Sequence, residues 1–254
     1  MALSIPAIEA GALPEHDKTS LTVQLIEGLS IFVACSLIVL HLIRFSKQPQ
    51  LLNWPTKFVV LLAFPIADFV SGLVHWSADT WGSEQWPVIG KRFLRPFRLH
   101  HINPDDFLRR NFVDTNGDVA MFCMPVLLWA WFIPLTSAGG RLSAVFLVSF
   151  CFWSLPTNQI HQWAHMPNPP YLVKILQRCK LILGAQHHMG HHHAPFSQNY
   201  CIINGWCNGV LARLSFFPVV EGWISILTGL IPRAEEQGIP RSVSSSKATG
   251  EAAQ

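Results

Sequence analysis

The chain has 254 residues, of which half are hydrophobic and only 13% are charged. Its formal net charge is +3, its mean hydropathy is +0.30 and it contains ten tryptophans. This composition argues against an ordinary soluble domain, although a soluble all-helical protein with an apolar core is the alternative. The small basic excess does not indicate nucleic-acid binding, since Lys and Arg beside apolar segments more often set membrane orientation or contact phospholipid.

Four apolar segments approach the roughly 20 residues that a membrane-spanning helix needs. Each is interrupted by polar residues or prolines, which are tolerated where a helix faces a protein interior. We therefore predict an all-α, multi-pass membrane protein with about four spans, at 21–43, 58–76, 119–135 and 142–162. The predicted organisation is a polar N-terminal tail at 1–20, a membrane-embedded domain at 21–232 and a flexible C-terminal tail at 233–254.

The distribution of Lys and Arg predicts the orientation of these spans. The segment 82–118 holds six of them and the region after the fourth span holds seven, whereas the short connections on the other side hold three and one. The positive-inside tendency therefore places the N-terminus, segment 82–118 and the C-terminal third in the cytosol. The membrane is expected to be the endoplasmic reticulum in a eukaryote or the inner membrane in a bacterium.

Most of the twelve histidines fall into groups, and imidazole binds a transition metal without adding charge to the site. On the predicted topology every group lies on the cytosolic face, which indicates one metal site there. His16, in the polar tail, and His41, toward the other face, are predicted to lie outside it. The grouped residues are His75, the pair His100 and His101, the pair His161 and His165, and the run QHHMGHHH at 186–193.

The spacing within the groups favours two metal ions. His188, His191 and His192 share a helix face at positions i, i+3 and i+4, as His161 and His165 do at i, i+4. Adjacent histidines point about 100° apart on a helix, so they reach two neighbouring ions more easily than one. The sequence has neither the Glu-x-x-His pairs of ferritin-like sites nor an H-E-x-x-H zinc motif. The six cysteines form no C-x-x-C and are predicted to be reduced packing residues.

Two acids and two arginines lie close to these histidines in sequence. Asp79, one turn after His75, is predicted to act in catalysis, either as a direct metal ligand or by orienting a ring through its second nitrogen. Asp68, further back on the same predicted helix, is expected to hydrogen-bond a neighbouring span. Arg95 and Arg98 precede the histidine pair at 100–101 and are predicted to bind a lipid phosphate, with topology alone as the alternative role.

Five segments resemble the Kua-type lipid desaturases: DFVSGLVHWSADTWG, GKRFLRPFRLHHINP, FVDTNGD, TNQIHQWAH and QHHMGHHHAP. The resemblance runs from about residue 67 to 206. It implies oxygen-dependent removal of two hydrogens from a lipid chain, at a histidine-held di-iron centre supplied with electrons by cytochrome b5 or a ferredoxin. The histidines that match the family are His75, His100, His101, His161, His165, His188, His191 and His192, with His187 matched in the animal members and His193 unmatched.

The resemblance also bears on the substrate. One branch of the family converts the 1-O-alkyl chain of an ethanolamine ether phospholipid into the 1-O-alk-1'-enyl chain of a plasmalogen, and HWSADTWG and RPFRLHH are similar to that branch. A chloroplast branch places a trans double bond near the carboxyl end of an acyl chain on phosphatidylglycerol, and NYCIINGWCN is similar to it. Animal members carry His where this chain has Arg110. The ether phospholipid is the expected substrate, with an acyl chain on phosphatidylglycerol or another glycerolipid as the alternative.

Two hypotheses from other functional classes stay open at this point. A metal transporter would pass ions between histidines, but its ligands would be distributed through the membrane depth, whereas the groups here are predicted to gather on one face. A metal-stabilised adaptor would bind metal without consuming oxygen.

Overall fold

The computed structural model of the protein describes residues 19–193 and 196–233. Across these residues the fold is all-helical and contains no strand. A 3-10 turn at Pro49–Leu51 precedes the second helix, and a π-helical turn at Gly90–Leu94 runs into the third. The α-helices in chain order are α1 (Leu21–Ser46), α2 (Trp54–Thr80), α3 (Arg95–Ile102), α4 (Pro104–Arg109), α5 (Phe112–Phe132), α6 (Ala138–Ser154), α7 (Thr157–His165), α8 (Tyr171–Arg178), α9 (Ala185–Met189), α10 (Trp206–Arg213) and α11 (Phe216–Thr228).

Three stretches are long and apolar enough to cross a membrane. They are Leu21–Ser46, Trp54–Thr80 and Ala138–His165, the last of which joins α6 to α7. These confirm the first, second and fourth predicted spans, and α2 extends beyond 58–76 at both ends. The sequence prediction missed α10 and α11, which together are apolar enough for a span but meet at a bend of 59°.

The third predicted span, 119–135, corresponds to α5, which begins seven residues earlier. Asp114, Asn116 and Asp118 occupy its first two turns. These polar residues lower the hydropathy of the helix, so α5 is not among the candidate spans found by length and composition. Whether α5 lies in the membrane is therefore judged from its contacts with α1.

Helix α5 lies parallel to α1 along most of its length. Near the start of both helices, Gly117 faces Glu27. Further along, His41 Nε2 lies 3.0 Å from the carbonyl oxygen of Leu127 and donates to it. At the far end, the guanidinium of Arg44 donates to the carbonyl groups of Ala130 and Ile133. A membrane that encloses α1 therefore also encloses α5.

The chain divides into two compact units, Met1–Phe64 with Ile102–Pro169 and Pro65–His101 with Pro170–Gln254. The core of the first unit lies between α1, α5 and α6. Small residues bring these helices close together, which is how helices associate where no water is present to drive hydrophobic burial. The buried core residues of this unit are Ala34, Ile38, Ala120, Cys123, Leu127, Ala130, Val148 and Cys151.

In the second unit, a buried carboxylate on α2 binds the non-helical backbone after Tyr200. Asp68 Oδ1 accepts hydrogen bonds from the backbone N–H groups of Ile203, Asn204 and Gly205 at 3.0–3.1 Å, and Oδ2 accepts one from Cys207 at 3.2 Å. Buried backbone donors outside regular structure need such partners. The expected bond from Asp68 to a neighbouring helix is made only by Cys207, in the first turn of α10, while the other three donors belong to the irregular segment before that helix.

The same segment runs along α2 toward the middle of that helix. Tyr200 lies beside His75, and seven residues later the Sγ of Cys207 donates to the carbonyl of Pro65. Pro65 precedes His75 by ten residues, or about 15 Å at 1.5 Å per residue. Helix α10 therefore begins well back along α2 from the histidine.

The chain then returns to the end of α2. The backbone N–H of Arg233 donates to the carbonyl of Thr80 at 2.8 Å, and its guanidinium pairs with Glu221 at 2.5 Å and bonds the Tyr200 hydroxyl at 3.4 Å. The folded part thus includes Arg233, the first residue of the predicted flexible tail. The rest of that tail, and the predicted N-terminal tail through residue 18, lie outside the described residues.

Candidate metal centre

Three histidines and one acid of the second unit converge on a buried point. Asp79 Oδ2 lies 3.3, 3.6 and 3.4 Å from the Nε2 atoms of His75, His101 and His191. The Nε2 atoms of His101 and His191 are 2.9 Å apart. With His100, these histidines offer ligand atoms that all lie within 4.8 Å of one another. Neutral imidazoles around a carboxylate, all removed from water, form a set of donors suited to a transition metal.

Backbone carbonyl groups fix the orientation of two of these rings. His75 Nδ1 donates to the carbonyl of Tyr200 at 3.1 Å, and His191 Nδ1 donates to that of Gln198 at 2.7 Å. A carbonyl can only accept, so the proton of each neutral ring is on Nδ1 and the lone pair of Nε2 faces the centre. Asp79 Oδ2 faces the Nε2 atoms of His75 and His191, so it does not orient these two rings through their second nitrogen.

A second group of histidines lies beside the first. His100, His188 and His192 offer ligand atoms within 4.8 Å of one another, and the Nε2 atoms of His188 and His192 are 3.0 Å apart. His100 belongs to both groups, so the two groups are neighbours. His191 faces the first group and His192 the second, although both lie beyond the end of α9, in a turn where their N–H groups donate to the carbonyls of His188 and Met189 at 2.8 and 3.2 Å.

The remaining predicted ligands, His161 and His165, lie on α7 in the first unit. Their Nε2 atoms are 3.3 Å apart, consistent with one shared helix face. The ring of Phe107 packs against both, with centroid distances of 5.0 and 6.1 Å.

Hydrogen bonds from α7 to the segment 107–115 hold this helix in place. Gln162 Nε2 donates to the carbonyls of Phe107 and Arg110 at 2.7 and 3.2 Å and lies 3.3 Å from Thr115 Oγ1. Asn158 Nδ2 donates to the Thr115 carbonyl at 2.9 Å. The polar residues of FVDTNGD and TNQIHQWAH therefore position the helix that carries His161 and His165.

Three other histidines lie apart from these groups. His187, predicted as a ligand, is exposed, and its Nε2 accepts a hydrogen bond from Asn208 Nδ2 at 3.0 Å. His193 is exposed and His41 is bound to Leu127, so neither joins a group, as expected. His16 lies outside the described residues. His187 is therefore next to the grouped histidines in sequence, but the structure does not place it in either group.

Arg98, predicted to bind a lipid phosphate, is bound to backbone carbonyls in the structure. Arg98 is buried, its Nε donates to the carbonyl of Ala78 at 3.1 Å, and its Nη2 donates to those of Trp81 and Gly82 at 2.9 and 3.3 Å. These carbonyls end α2, where the helix itself supplies no partner. Arg98 therefore stabilises the C-terminus of the helix that carries His75. Arg95 is half-buried, and its phosphate role stays a prediction.

A buried layer that the sequence did not predict lies behind the first histidine group. The ring of Tyr200 lies 5.1 Å from that of His191, and its hydroxyl donates to the carbonyl of Phe196 at 2.8 Å. Burial raises the pKa of this phenol, so the hydroxyl stays neutral. Trp76 Nε1 donates to Glu221 Oε1 at 2.7 Å. The motif NYCIINGWCN was the sequence signal for this layer. It could not indicate the role of Tyr200, because this residue orients His75 through its backbone carbonyl, which every residue type has.

The first unit contains an apolar cavity of about 560 Å³ between α1, α2 and α6. Its walls include Ile38, Leu42, Val60, Val148 and Phe152. The lining has no histidine or acid, so this space can hold a hydrocarbon chain but supplies no reactive group.

Comparisons with known proteins agree with the motifs. The sequence profile of the lipid desaturase domain matches residues 64–235. A plasmanylethanolamine desaturase of Myxococcus xanthus is 42% identical over 216 residues, which cover 85% of this chain and 77% of the relative. Plasmanylethanolamine desaturase 1 of Mus musculus is 38% identical, with 83% and 80% covered. Fatty acid desaturase 4, chloroplastic, of Arabidopsis thaliana is 33% identical, with 66% and 51% covered. No solved structure matches.

Proposed function

Because the chain belongs to the lipid desaturase family, we propose that it converts the 1-O-alkyl chain of plasmanylethanolamine into the 1-O-alk-1'-enyl chain of a plasmalogen. The two relatives that are 42% and 38% identical carry the name of this activity. The observation that carries the proposal is the convergence of Asp79 with His75, His101 and His191. Membership of an enzyme family displaces the transporter and adaptor alternatives.

The metal in this proposal is a pair of iron ions. His75, His101, His191 and Asp79 would hold one, and His100, His188 and His192 would contribute to the other; the sequence prediction adds His161 and His165. Imidazoles with a carboxylate suit non-haem iron. Iron with O2 would supply the oxidising power that breaks an unactivated C–H bond, which no side chain can provide.

The proposed reaction balances with an external electron donor. The alkyl chain loses one hydrogen from each of the first two carbons beside the ether oxygen, and a double bond forms between them. O2 accepts these two hydrogens together with two electrons and two protons, and leaves as two water molecules. A one-electron carrier of the cytochrome b5 or ferredoxin type would deliver the electrons.

The chain's own residues orient the ligands and exclude water. The carbonyls of Tyr200 and Gln198 keep the Nδ1 protons of His75 and His191 in place, so both Nε2 atoms are available to bind metal. Asp79 adds a negative charge that neutral imidazoles lack. His75, His191 and Asp79 are almost wholly buried, which protects a reactive centre from water.

Lipid mass spectrometry of a plasmalogen-free host tests this function. The host would express the chain and be fed an alkylglycerol, and we expect acid-labile vinyl-ether phospholipid to accumulate. A trans double bond near the carboxyl end of phosphatidylglycerol acyl chains would instead support the acyl-chain alternative. No new double bond in either class, from a chain that retains iron, would contradict both.

A matched pair of variants ties the product to the centre. We predict that His191→Ala abolishes vinyl-ether formation and reduces bound iron from about two ions per chain, because it removes a buried ligand. His193→Ala should leave both nearly intact, since His193 is exposed and outside the groups. Equal losses from both variants would show that the ligand set is drawn wrongly.

A further inference from the structure

Helix α8, in the second unit, presents three different sides. Val173 packs into the protein and is 5% exposed. On the outer side Tyr171, Leu172 and Ile175 are 79, 65 and 37% exposed. Positions i, i+1 and i+4 of a helix lie within about 100° of one another, so these three side chains form one apolar face. An apolar face of this kind on a short helix calls for a partner.

Basic residues border this apolar face. Lys174 and the exposed Arg178 lie on α8, and Lys180 follows it, also exposed. On the helix, Lys174 and Arg178 lie about 60° and 20° from Tyr171 on the side away from Leu172, so their charges line the Tyr171 edge of the apolar face. Aromatic and aliphatic side chains on one face with Lys and Arg at its edge are the pattern of a helix that lies in a membrane interface. Long basic side chains reach phosphates while their stems stay on apolar surface.

Contacts to α10 and α2 favour a bilayer over a soluble partner. Trp206, 51% exposed, donates from Nε1 to the carbonyl of Lys180 at 2.8 Å. The next residue, Cys207, is bound to Pro65 and Asp68 of α2. These positions lie about 10–15 Å back from His75 along a helix that is itself a candidate span. The end of α8 is thus displaced from the histidines toward the apolar part of α2.

We propose that Tyr171, Leu172, Ile175 and Trp206, the interfacial patch, insert into the leaflet on the side of the histidine groups. The occupant is the phospholipid bilayer itself: the acyl-chain boundary covers the patch, and lipid phosphates bind Lys174, Arg178 and Lys180. Phosphate complements the charge of this edge, and anionic lipids strengthen the attraction.

A position of α8 in the membrane interface would also fix the depth of the histidines that follow it in the chain. The value of that depth for catalysis rests on the proposed function. Gln177 Nε2 donates to the carbonyl of Leu183 at 3.1 Å, and the N–H of Leu183 donates to the carbonyl of Ile203 at 2.8 Å. Helix α9 with His188 begins two residues later. The bonds to be oxidised in an ether lipid lie beside the glycerol, so a metal centre held at that depth meets them directly.

Cys179 gives a native position for the test, because it is exposed and lies one turn after Ile175 on the same side. A polarity-sensitive fluorophore would be attached to it in the iron-loaded full chain, with Cys35, the other exposed cysteine, changed to Ser. The protein would be reconstituted in phosphatidylcholine vesicles containing phosphatidylglycerol. We expect several-fold stronger quenching by a shallow doxyl lipid than by aqueous iodide.

A position on the basic edge is the matched control. Lys174→Cys with Cys179→Ser places the probe about 100° from Ile175 and about 160° from Leu172, where iodide should quench it more strongly than the doxyl lipid. In Leu172→Glu with Ile175→Glu, doxyl quenching at Cys179 should fall several-fold while bound iron is unchanged. Because the readout is fluorescence, it is independent of whether the chain forms vinyl ethers.

Three outcomes would overturn the proposal. Equal quenching of the Cys179 and Lys174→Cys probes by iodide would show that the patch stays in water. Protection of Cys179 only after a soluble, acidic electron-carrier protein is added would show that the patch binds a protein. Unchanged doxyl quenching in the double Glu variant would show that the apolar face does not cause the insertion.

Discussion

The guanidinium of Arg98 donates to three backbone carbonyls at the end of α2, a role that only the folded chain reveals. Its position two residues before the His100–His101 pair suggested a phosphate ligand. The terminal carbonyls of α2 need donors, however, and a planar group with several N–H donors satisfies them better than an ammonium can.

We predict that Arg98→Lys lowers the thermal unfolding midpoint by several degrees. The lost hydrogen bonds should cost about 1–3 kcal/mol, because buried carbonyls are left with fewer donors. The KM for the lipid measured on the remaining folded enzyme should be unchanged. Arg95→Lys, at a half-buried position, is the control and should change stability less. A raised KM with unaltered unfolding would restore the phosphate role to Arg98.

Asp79 supplies the second residue-level prediction. Asp79→Asn keeps the size of the side chain but removes the negative charge that faces three Nε2 atoms. We expect bound iron, measured by elemental analysis, to fall to about one ion per chain and product formation to be lost. Asp114→Asn, which only breaks a pair with Arg110, should retain both ions. If Asp79→Asn also retains both ions, Asp79 is not a ligand.

Side-chain chemistry and spacing were readable from the sequence, whereas backbone partners were not. The i, i+4 positions of His188 and His192 and the 100° offset of adjacent histidines predicted two groups, and two groups are found in the second unit. The carbonyls of Tyr200 and Gln198 that orient the rings could not be predicted. A carbonyl is common to every residue, so only the path of the chain decides which one a ring meets.

At the scale of elements, Gly117 decides how closely α1 and α5 approach. A Cβ at position 117 would lie 2.3 Å from the Cβ of Glu27, a distance that real contacts do not allow. The helices would have to separate, and the buried contacts between α1 and α5 would be lost along their length.

We therefore predict that Gly117→Ala destabilises the protein by about 1–3 kcal/mol, the usual range for overpacking a filled interface. Gly139→Ala is the control, since nothing lies within 4 Å of a Cβ there, and it should be neutral or slightly stabilising. Unfolding in detergent, followed by circular dichroism, would compare the two. Equal midpoints would contradict tight packing between α1 and α5.

Asp68 shows why the elements after residue 200 could not be predicted. Hydropathy marked the residue as an acid inside a span, but its four backbone partners are about 135 residues away in sequence. Three of the four lie in an irregular segment that has no periodic signal of its own, and the fourth, Cys207, lies in the first turn of α10. Helices α10 and α11 follow it and are each too short to be recognised as a span.

Loss of this carboxylate should loosen the whole segment. Asp68→Asn places an N–H donor among backbone N–H groups, so at least one buried hydrogen bond must be lost and the remainder weakened. We expect protease cleavage between residues 200 and 208 to accelerate at least tenfold relative to the unaltered chain. Asp114→Asn, whose partner is the nearby Arg110, should show no such change. Equal cleavage rates for the two variants would mean that Asp68 does not hold the segment.

At the scale of the whole chain, the number of membrane crossings follows from these contacts. Helices α1 and α2 and the stretch formed by α6 and α7 are candidate spans, and α5 lies along α1. The segment from Tyr200 to Arg233 starts beside His75 and ends at Thr80, so both of its ends lie at the same end of α2. We therefore predict that the bent pair α10 and α11 is an excursion that returns, and that the chain crosses the membrane four times. An even number of crossings would place both ends of the chain on one side.

The last prediction tests that count. Epitope tags at Met1 and Gln254 should both be accessible to antibody after selective permeabilisation of the plasma membrane, because an even number of crossings returns the chain to its starting side. A tag inserted between Ser46 and Asn53 should become accessible only after the internal membrane is opened. The positive-inside distribution, with six Lys and Arg at 82–118 and seven after the fourth span, indicates that the shared side is the cytosol. A lumenal Gln254 tag with a cytosolic Met1 tag would make the bent pair a true span.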